Sequence, residues 1–134
     1  MVCIQCGNKT SVINSRLQHR NNNVWRRRKC LSCHSIFTTL ERANLGSSWI
    51  VMNKSGSHAP FLEDKLLISI YSSCLHRKTA LTDARQLTDT VIRKLQTKTL
   101  NSRLEAKTIA QTTIVALNRF DSVSSSYYAA RHSI

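Results

Sequence analysis

The chain has 134 residues, a formal net charge of +13 and a pI near 10.3. That length holds one ordinary domain or two small ones, and an apolar fraction of 41% excludes wholesale disorder. The positive surplus calls for a polyanionic partner, nucleic acid or an anionic membrane surface, while the lack of a long apolar run or a signal-peptide core excludes a transmembrane helix and makes a cytosolic location the default.

In chain order, the first feature is Cys3-x-x-Cys6, matched later by Cys30-x-x-Cys33. Two intervening residues let both thiolates of a pair turn toward one point, and two pairs make a tetrahedral four-thiolate site that suits one structural Zn2+. The alternatives are disulfides, which a cytosolic setting disfavours, free thiols, and redox catalysis, which needs a βαβ context absent around either pair. Between the pairs, Ser11-Val12-Ile13 and Val24-Trp25 are expected as short strands, with Asn21-Asn22-Asn23 as their loop. Arg26-Arg27-Arg28-Lys29 then runs into Cys30, and no acid precedes Glu41. A charge run is commonly only a solvated face, but this one is mounted on a metal knuckle beside Trp25 and Arg16. Strand alternation puts Arg26 and Arg28 on one face and Arg27 and Lys29 on the other. Arginine suits bidentate contact with phosphate or a guanine edge, so Arg16 and Arg26 to Lys29 are the expected DNA contacts. Ile36 to Leu40 is expected as a third strand, in which Thr38 and Thr39 offer hydroxyls to phosphate or serve only as strand formers. So few apolar residues would not fold without the metal.

Asn44 to Ser48 is polar and small and is expected to be a linker, dividing the chain into residues 1–46, with charge +7, and 47–134, with +6 over almost twice the length. Beyond it, Trp49 to Met52 and His58 to Phe61 flank the turn Asn53 to Ser57 as a hairpin. Helical periodicity follows. Phe61, Lys65, Leu66, Ile68, Ile70, Tyr71, Cys74 and Leu75 predict a largely buried helix, which makes Cys74 a buried small side chain rather than a reactive thiol. Thr82 is expected to cap a second helix carrying Leu87, Val91, Ile92 and Leu95, and Ser102-Arg103-Leu104-Glu105 reads as the capping box of a third. The serine stretch Ser122 to Ser126 is expected to be a connector before a short final helix around Tyr127 and Tyr128. The fold class is thus α+β, a zinc ribbon followed by a β-hairpin with three or four helices. No Ser/His/Asp, Cys/His or paired-carboxylate set is evident, and Gly56 alone makes no Walker loop, so the chain is not read as an enzyme.

Cys3-x-x-Cys6-Gly7, Val12 to Arg16, the run Arg26 to Cys30 with Cys33, and Phe37-Thr38-Thr39-x-Glu41-Arg42 occur in the order found in the N-terminal zinc ribbon of the NrdR family. Residues 1–42 closely resemble that ribbon. The second segment resembles, more weakly, the ATP-cone that follows it in that family, through Val51, Gly56, Pro60-Phe61, Lys65-Leu66, Ser102-Arg103, Leu117 and Asp121. NrdR proteins are bacterial repressors of ribonucleotide reductase operons. The resemblance implies double-stranded DNA with operator boxes as a partner, ATP or dATP as a regulatory ligand, a homo-oligomer formed through the cone, and a place at the nucleoid in the cytoplasm. It implies a nucleotide site at Val51, Asn53, Lys54, Gly56, Phe61, Lys65 and Leu66, with Lys54 and Lys65 meeting phosphates. The chain departs from the family where Asn53-Lys54-Ser55-Gly56 replaces a Lys-Arg-Asp-Gly-like turn, where Asn14 replaces an Asp, and along Ser125 to His132. The lost hairpin cation keeps a second reading open, a zinc-ribbon nucleic-acid binder whose cone serves only for oligomerisation.

Overall fold

Alternating side chains between the cysteine pairs and just after the second build a three-stranded antiparallel sheet, β1 (Thr10–Gln18), β2 (Asn23–Cys30) and β3 (Ile36–Arg42), in the order β1-β2-β3. The computed structural model describes residues 1–132 and resolves two compact units, Met1–Ala43 and the described residues from Asn44 on. The strands of the first unit are longer than their apolar residues predict, because the arginine run itself is ladder-paired on both sides. Asn22 takes the left-handed conformation, φ 47°, in the β1–β2 turn, as asparagine tolerates.

The second unit begins earlier than the expected linker allows. Leu45–Ser48 is a helical turn, α1, whose N-cap Asn44 accepts the Ser47 N–H at 3.3 Å. Leu45 packs on the core, and a Cβ on Gly46 would stand 3.2 Å from the Phe61 carbonyl oxygen, so the polar, small composition here reflects a capped turn under close approach. Strand β4 (Ile50–Met52) pairs antiparallel with β5 (His58–Pro60) as the hairpin signal predicts. It also pairs in parallel with β6 (Arg103–Glu105). Those last residues were expected as a capping box. Instead Ser102 is left-handed, φ 61°, its carbonyl accepts the Ile50 N–H at 2.9 Å, and Leu104 is buried. Strand pairing and burial of one leucine override the local capping signal.

Four longer helices complete the unit: α2 (Glu63–Ser73), α3 (Ala80–Gln96), α4 (Ala106–Phe120) and α5 (Ser122–His132). The α3 stripe Leu87, Val91, Ile92 and Leu95 is buried as its period predicts, though the helix starts at Ala80 after Thr79 rather than at Thr82. Thr79 and Arg77 both donate to Asp83, at 2.7 and 2.8 Å, which anchors the first turn. Helix α2 is only half buried. Leu66, Ile70 and the following Cys74 face the core, while Ile68 and Leu75 are 63% and 58% exposed.

The serine stretch is not a connector but the first turn and a half of α5. Asp121 accepts the Val123 and Ser124 N–H groups and, at 2.6 Å, the Ser124 hydroxyl. Ser124 and Ser125 are small enough to be buried, and Ser126 returns its hydroxyl to the Ser122 carbonyl at 3.0 Å. The Ser124 hydroxyl, then the backbone donors and His76, hold the Asp121 carboxyl down to about 2. A depressed carboxylate contributes stability that is complete above its unfolded value, about 4, and is lost as pH falls through the folded value. Acid unfolding followed by helical far-UV circular dichroism, which reports the second unit, should therefore show a smaller pH dependence between about 4 and 2 in Asp121→Asn than in the parent. Equal slopes would remove Asp121 from the acid response. No helix among the described residues is long and apolar enough to cross a membrane.

Candidate metal centre and nucleic-acid interface

The two CxxC segments fold as matching knuckles. Cys3 N–H donates to the Asn8 carbonyl at 2.8 Å, and Cys30 N–H to the Ser35 carbonyl at 2.9 Å, five residues on in each case. The residue after each second cysteine is left-handed, Gly7 at φ 73° and His34 at φ 59°. His34 is thereby explained as a turn residue on the surface, and it takes no part in the cysteine cluster.

Cys3, Cys6, Cys30 and Cys33 place their sulfurs within 4.8 Å of one another. The sulfurs of Cys3 and Cys33 are 3.6 Å apart and those of Cys6 and Cys30 3.4 Å apart, close to the edge of about 3.8 Å that a tetrahedron with 2.3 Å zinc–sulfur bonds requires. All five cysteines are free, and these separations are far from a disulfide bond. Donor type, number and spacing suit zinc. The Ser35 hydroxyl lies 3.1 Å from both Cys3 and Cys33 sulfurs, and the Ser32 and Cys33 N–H groups donate to Cys30 sulfur at 3.4 Å. The Ser35 hydroxyl, then the Cys6 and Gln5 backbone donors, bring the Cys3 thiol down to about 6. Ser35 likewise lowers Cys33, whereas burial raises Cys30. Thiolate-stabilising donors are therefore built into the cluster, and metal coordination would deprotonate the buried thiol as well. Ser35 carries no spacing signal, so sequence reasoning missed it.

The ladder sorts the basic residues. Arg27 is opposite Asn14 and Thr38, and Trp25 is opposite Arg16 and Leu40. Paired and alternate residues share a face, so Arg16, Arg27, Lys29, Thr38 and Arg42 lie on one face, which carries no acid. Arg16, Arg27, Lys29 and Thr38 are all exposed. Arg26, Arg28 and Thr39 lie on the other face and are partly buried. There Arg26 forms an ion pair with Glu41, and Arg28 Nη1 donates to the Thr10 hydroxyl at 3.2 Å while its Nε is buried without a partner.

In the second unit, β4, β5, α2, α4 and α5 enclose a cavity of ≈ 300 Å³. Of the predicted nucleotide residues, Val51, Asn53, Phe61, Lys65 and Leu66 line it. Lys54 and Gly56 do not. They sit exposed in the hairpin turn, where Gly56, at φ 79°, donates to the Asn53 carbonyl at 3.0 Å. Phe61, 2% exposed, packs edge-on against Trp49 at 5.3 Å, so it serves the core as well as the cavity wall. A larger cleft of ≈ 590 Å³ lies against the α3–β6 turn, where Lys98 and Arg103 are offset by Glu105, and it holds none of the predicted residues.

Residues 1–41 match the family described as "Transcriptional repressor NrdR-like, N-terminal domain". Along most of the chain, a protein of Symbiobacterium thermophilum named transcriptional repressor NrdR is 33% identical over 123 residues, which is 92% of this chain and 81% of that protein. The chain belongs to the NrdR family. NrdR proteins of Streptococcus equi subsp. zooepidemicus and Syntrophotalea carbinolica are similar at 33% and 34% identity, over 95% and 92% of this chain and 82% and 78% of theirs. Against the NrdR pattern, the altered hairpin turn keeps its Gly56 geometry, and the altered C-terminal stretch still forms a helix, in which Tyr128 is buried. That stretch also brings Tyr128 and His132 into the cavity beside Ser69. None of the three is a cavity residue in the sequence reading: Tyr128 is expected there only as part of a final helix, His132 lies where the family pattern is weakest, and Ser69 falls between the periodic apolar positions of α2.

Proposed function

We propose that the protein is a zinc-dependent, DNA-binding transcriptional repressor whose ribbon reads duplex DNA and whose second unit binds ATP or dATP and joins copies of the chain. Zinc held by Cys3, Cys6, Cys30 and Cys33 keeps the sheet rigid, and the face bearing Arg16, Arg27, Lys29 and Thr38 meets the duplex. The observation that carries this reading is that acid-free basic face, mounted on a four-thiolate cluster, in a family whose relatives are named transcriptional repressors. Ribonucleotide reductase operons are the targets that family membership suggests, and the nucleoid in the cytoplasm is the place of action. One small module buries only about 600–1,000 Å² of its own surface on DNA, so paired ribbons from a homo-oligomer suit paired operator boxes.

Fluorescence anisotropy with duplexes carrying paired NrdR-type boxes tests the reading. Tighter binding than to scrambled duplex at moderate salt is expected, and equal affinity would sink the claim of sequence-specific repression.

A second reading, in which the cone serves only for oligomerisation, is favoured by the position of Lys54 away from the cavity, which leaves Lys65 as its one lysine among the described residues. Calorimetry separates the two, since saturable ATP or dATP binding eliminates it.

A further inference from the structure

We propose that His132 is a proton-linked ligand of the cavity, taking up a proton as a phosphate-bearing nucleotide enters and then donating a charged hydrogen bond to the phosphate. This rests on the reading of the cavity as a nucleotide site and adds to it a residue and a mode of regulation.

The imidazole is held from two sides. Its Nε2 lies 2.6 Å from the Ser69 hydroxyl of α2, and its ring stacks on Tyr128 of α5 at 4.1 Å between centroids and 27° between planes. Tyr128 is 2% exposed, so the platform is fixed by the core. Lys65 and Ser69 are four residues apart and share a face of α2, which puts the ammonium and the imidazole at the same end of the cavity. The rest of the wall offers an adenine ring apolar surface from Val51, Pro60, Phe61 and Ile109.

Among the described residues, the charges that act on His132 have one sign. Lys65 faces it from α2, and Arg131 and the Tyr128 phenol belong to its own helix. Where α4 and the hairpin line the cavity they present Ala106, Ile109, Ala110 and Asn53, none of which titrates, and no carboxylate is among the described residues of the wall. Partial burial, then Arg131 and Lys65, hold the imidazole below its ordinary value, so it is neutral in the unliganded protein at neutral pH. A triphosphate reverses the local sign and favours imidazolium. The sign follows. The contribution to affinity is complete below the His132 value of the free protein and is lost as pH rises through that of the complex.

ATP binding measured by calorimetry at about pH 6 and about pH 8, in buffers of differing protonation enthalpy, tests this with the parent and His132→Gln. Glutamine keeps a hydrogen bond to Ser69 without titrating, and the ionisation of ATP is common to both proteins. The parent should gain on the order of tenfold more affinity than the variant on acidification and take up extra protons. Imidazole NMR of the parent supplies a readout independent of any variant, an upward move of the His132 midpoint with ATP but not with adenosine. Saturable binding with the same pH dependence in both proteins, or an unmoved midpoint, overturns the role of His132 alone. No saturable binding at either pH overturns the nucleotide reading, and this inference with it.

Discussion

Cys30→Ser is expected to abolish zinc binding, unfold residues 1–43 and reduce specific DNA affinity to the non-specific level, a loss of roughly a thousandfold or more. Within that unit the only buried apolar side chains are Cys3 and Cys30, 4% and 0% exposed. Val12, Ile13, Leu17, Ile36 and Leu40 are all between 45% and 60% exposed. There is no apolar core to hold three strands together, so the metal takes its place. Structural zinc contributes about 10–16 kcal/mol of apparent binding free energy in small fingers, far more than so small a sheet could otherwise supply. Cys74→Ser is the control. Cys74 is also fully buried, but in the α2–α3 core, where burial raises its thiol and no other cysteine approaches it. It should cost the second unit stability and leave zinc stoichiometry at one per chain. Metal release on thiol titration reads the first effect and amide NMR dispersion of the ribbon the second. A dispersed ribbon spectrum from metal-free Cys30→Ser would refute the claim that zinc is the core.

The parts of this chain legible from residues alone are those where one signal dominates. The CxxC pairs announce the cluster because ligand spacing is a local property, and Leu87, Val91, Ile92 and Leu95 announce α3 because seventeen residues repeat one period. The misreadings come where a short local signal competes with a distant partner. Ser102 to Glu105 has the sequence of a capping box, yet β4 recruits it as a strand. Ser122 to Ser126 has the composition of a loop, yet Asp121 caps it and the core accepts its small side chains. At the site, alternation tells Arg27 from Arg28, but not which of them faces out. That depends on Thr10, Glu41 and the irregularity between Val12 and Asn14, all set by neighbouring strands. His132 is invisible for the same reason, since its partners Ser69 and Lys65 lie more than sixty residues away in sequence.

Because the ladder separates the basic residues into two faces, their removal should have unequal effects. Arg27→Ala with Lys29→Ala is expected to weaken DNA binding by one to two orders of magnitude and to reduce the slope of log affinity against log salt by about two, since each lost phosphate contact removes about 0.9. Arg26→Ala should change binding little. Its charge is already paired with Glu41, and an exposed pair of this kind is worth about 0–1 kcal/mol of stability. Arg28 is also engaged, through Thr10, and its partly buried side chain supports the sheet, so Arg28→Ala should lower ribbon stability before it lowers affinity at saturating zinc. The singles within the exposed pair separate two modes of contact. If Arg27 reads a guanine edge, Arg27→Ala relaxes sequence preference by about 1–3 kcal/mol at one base pair, while Lys29→Ala weakens all duplexes alike. Titrations of each variant against boxed and scrambled duplex across a salt series give both quantities. If Arg26→Ala proved more damaging than the Arg27/Lys29 double variant, the duplex would lie against the face that carries Glu41, and the pairing of Arg26 with that acid would have to open on binding.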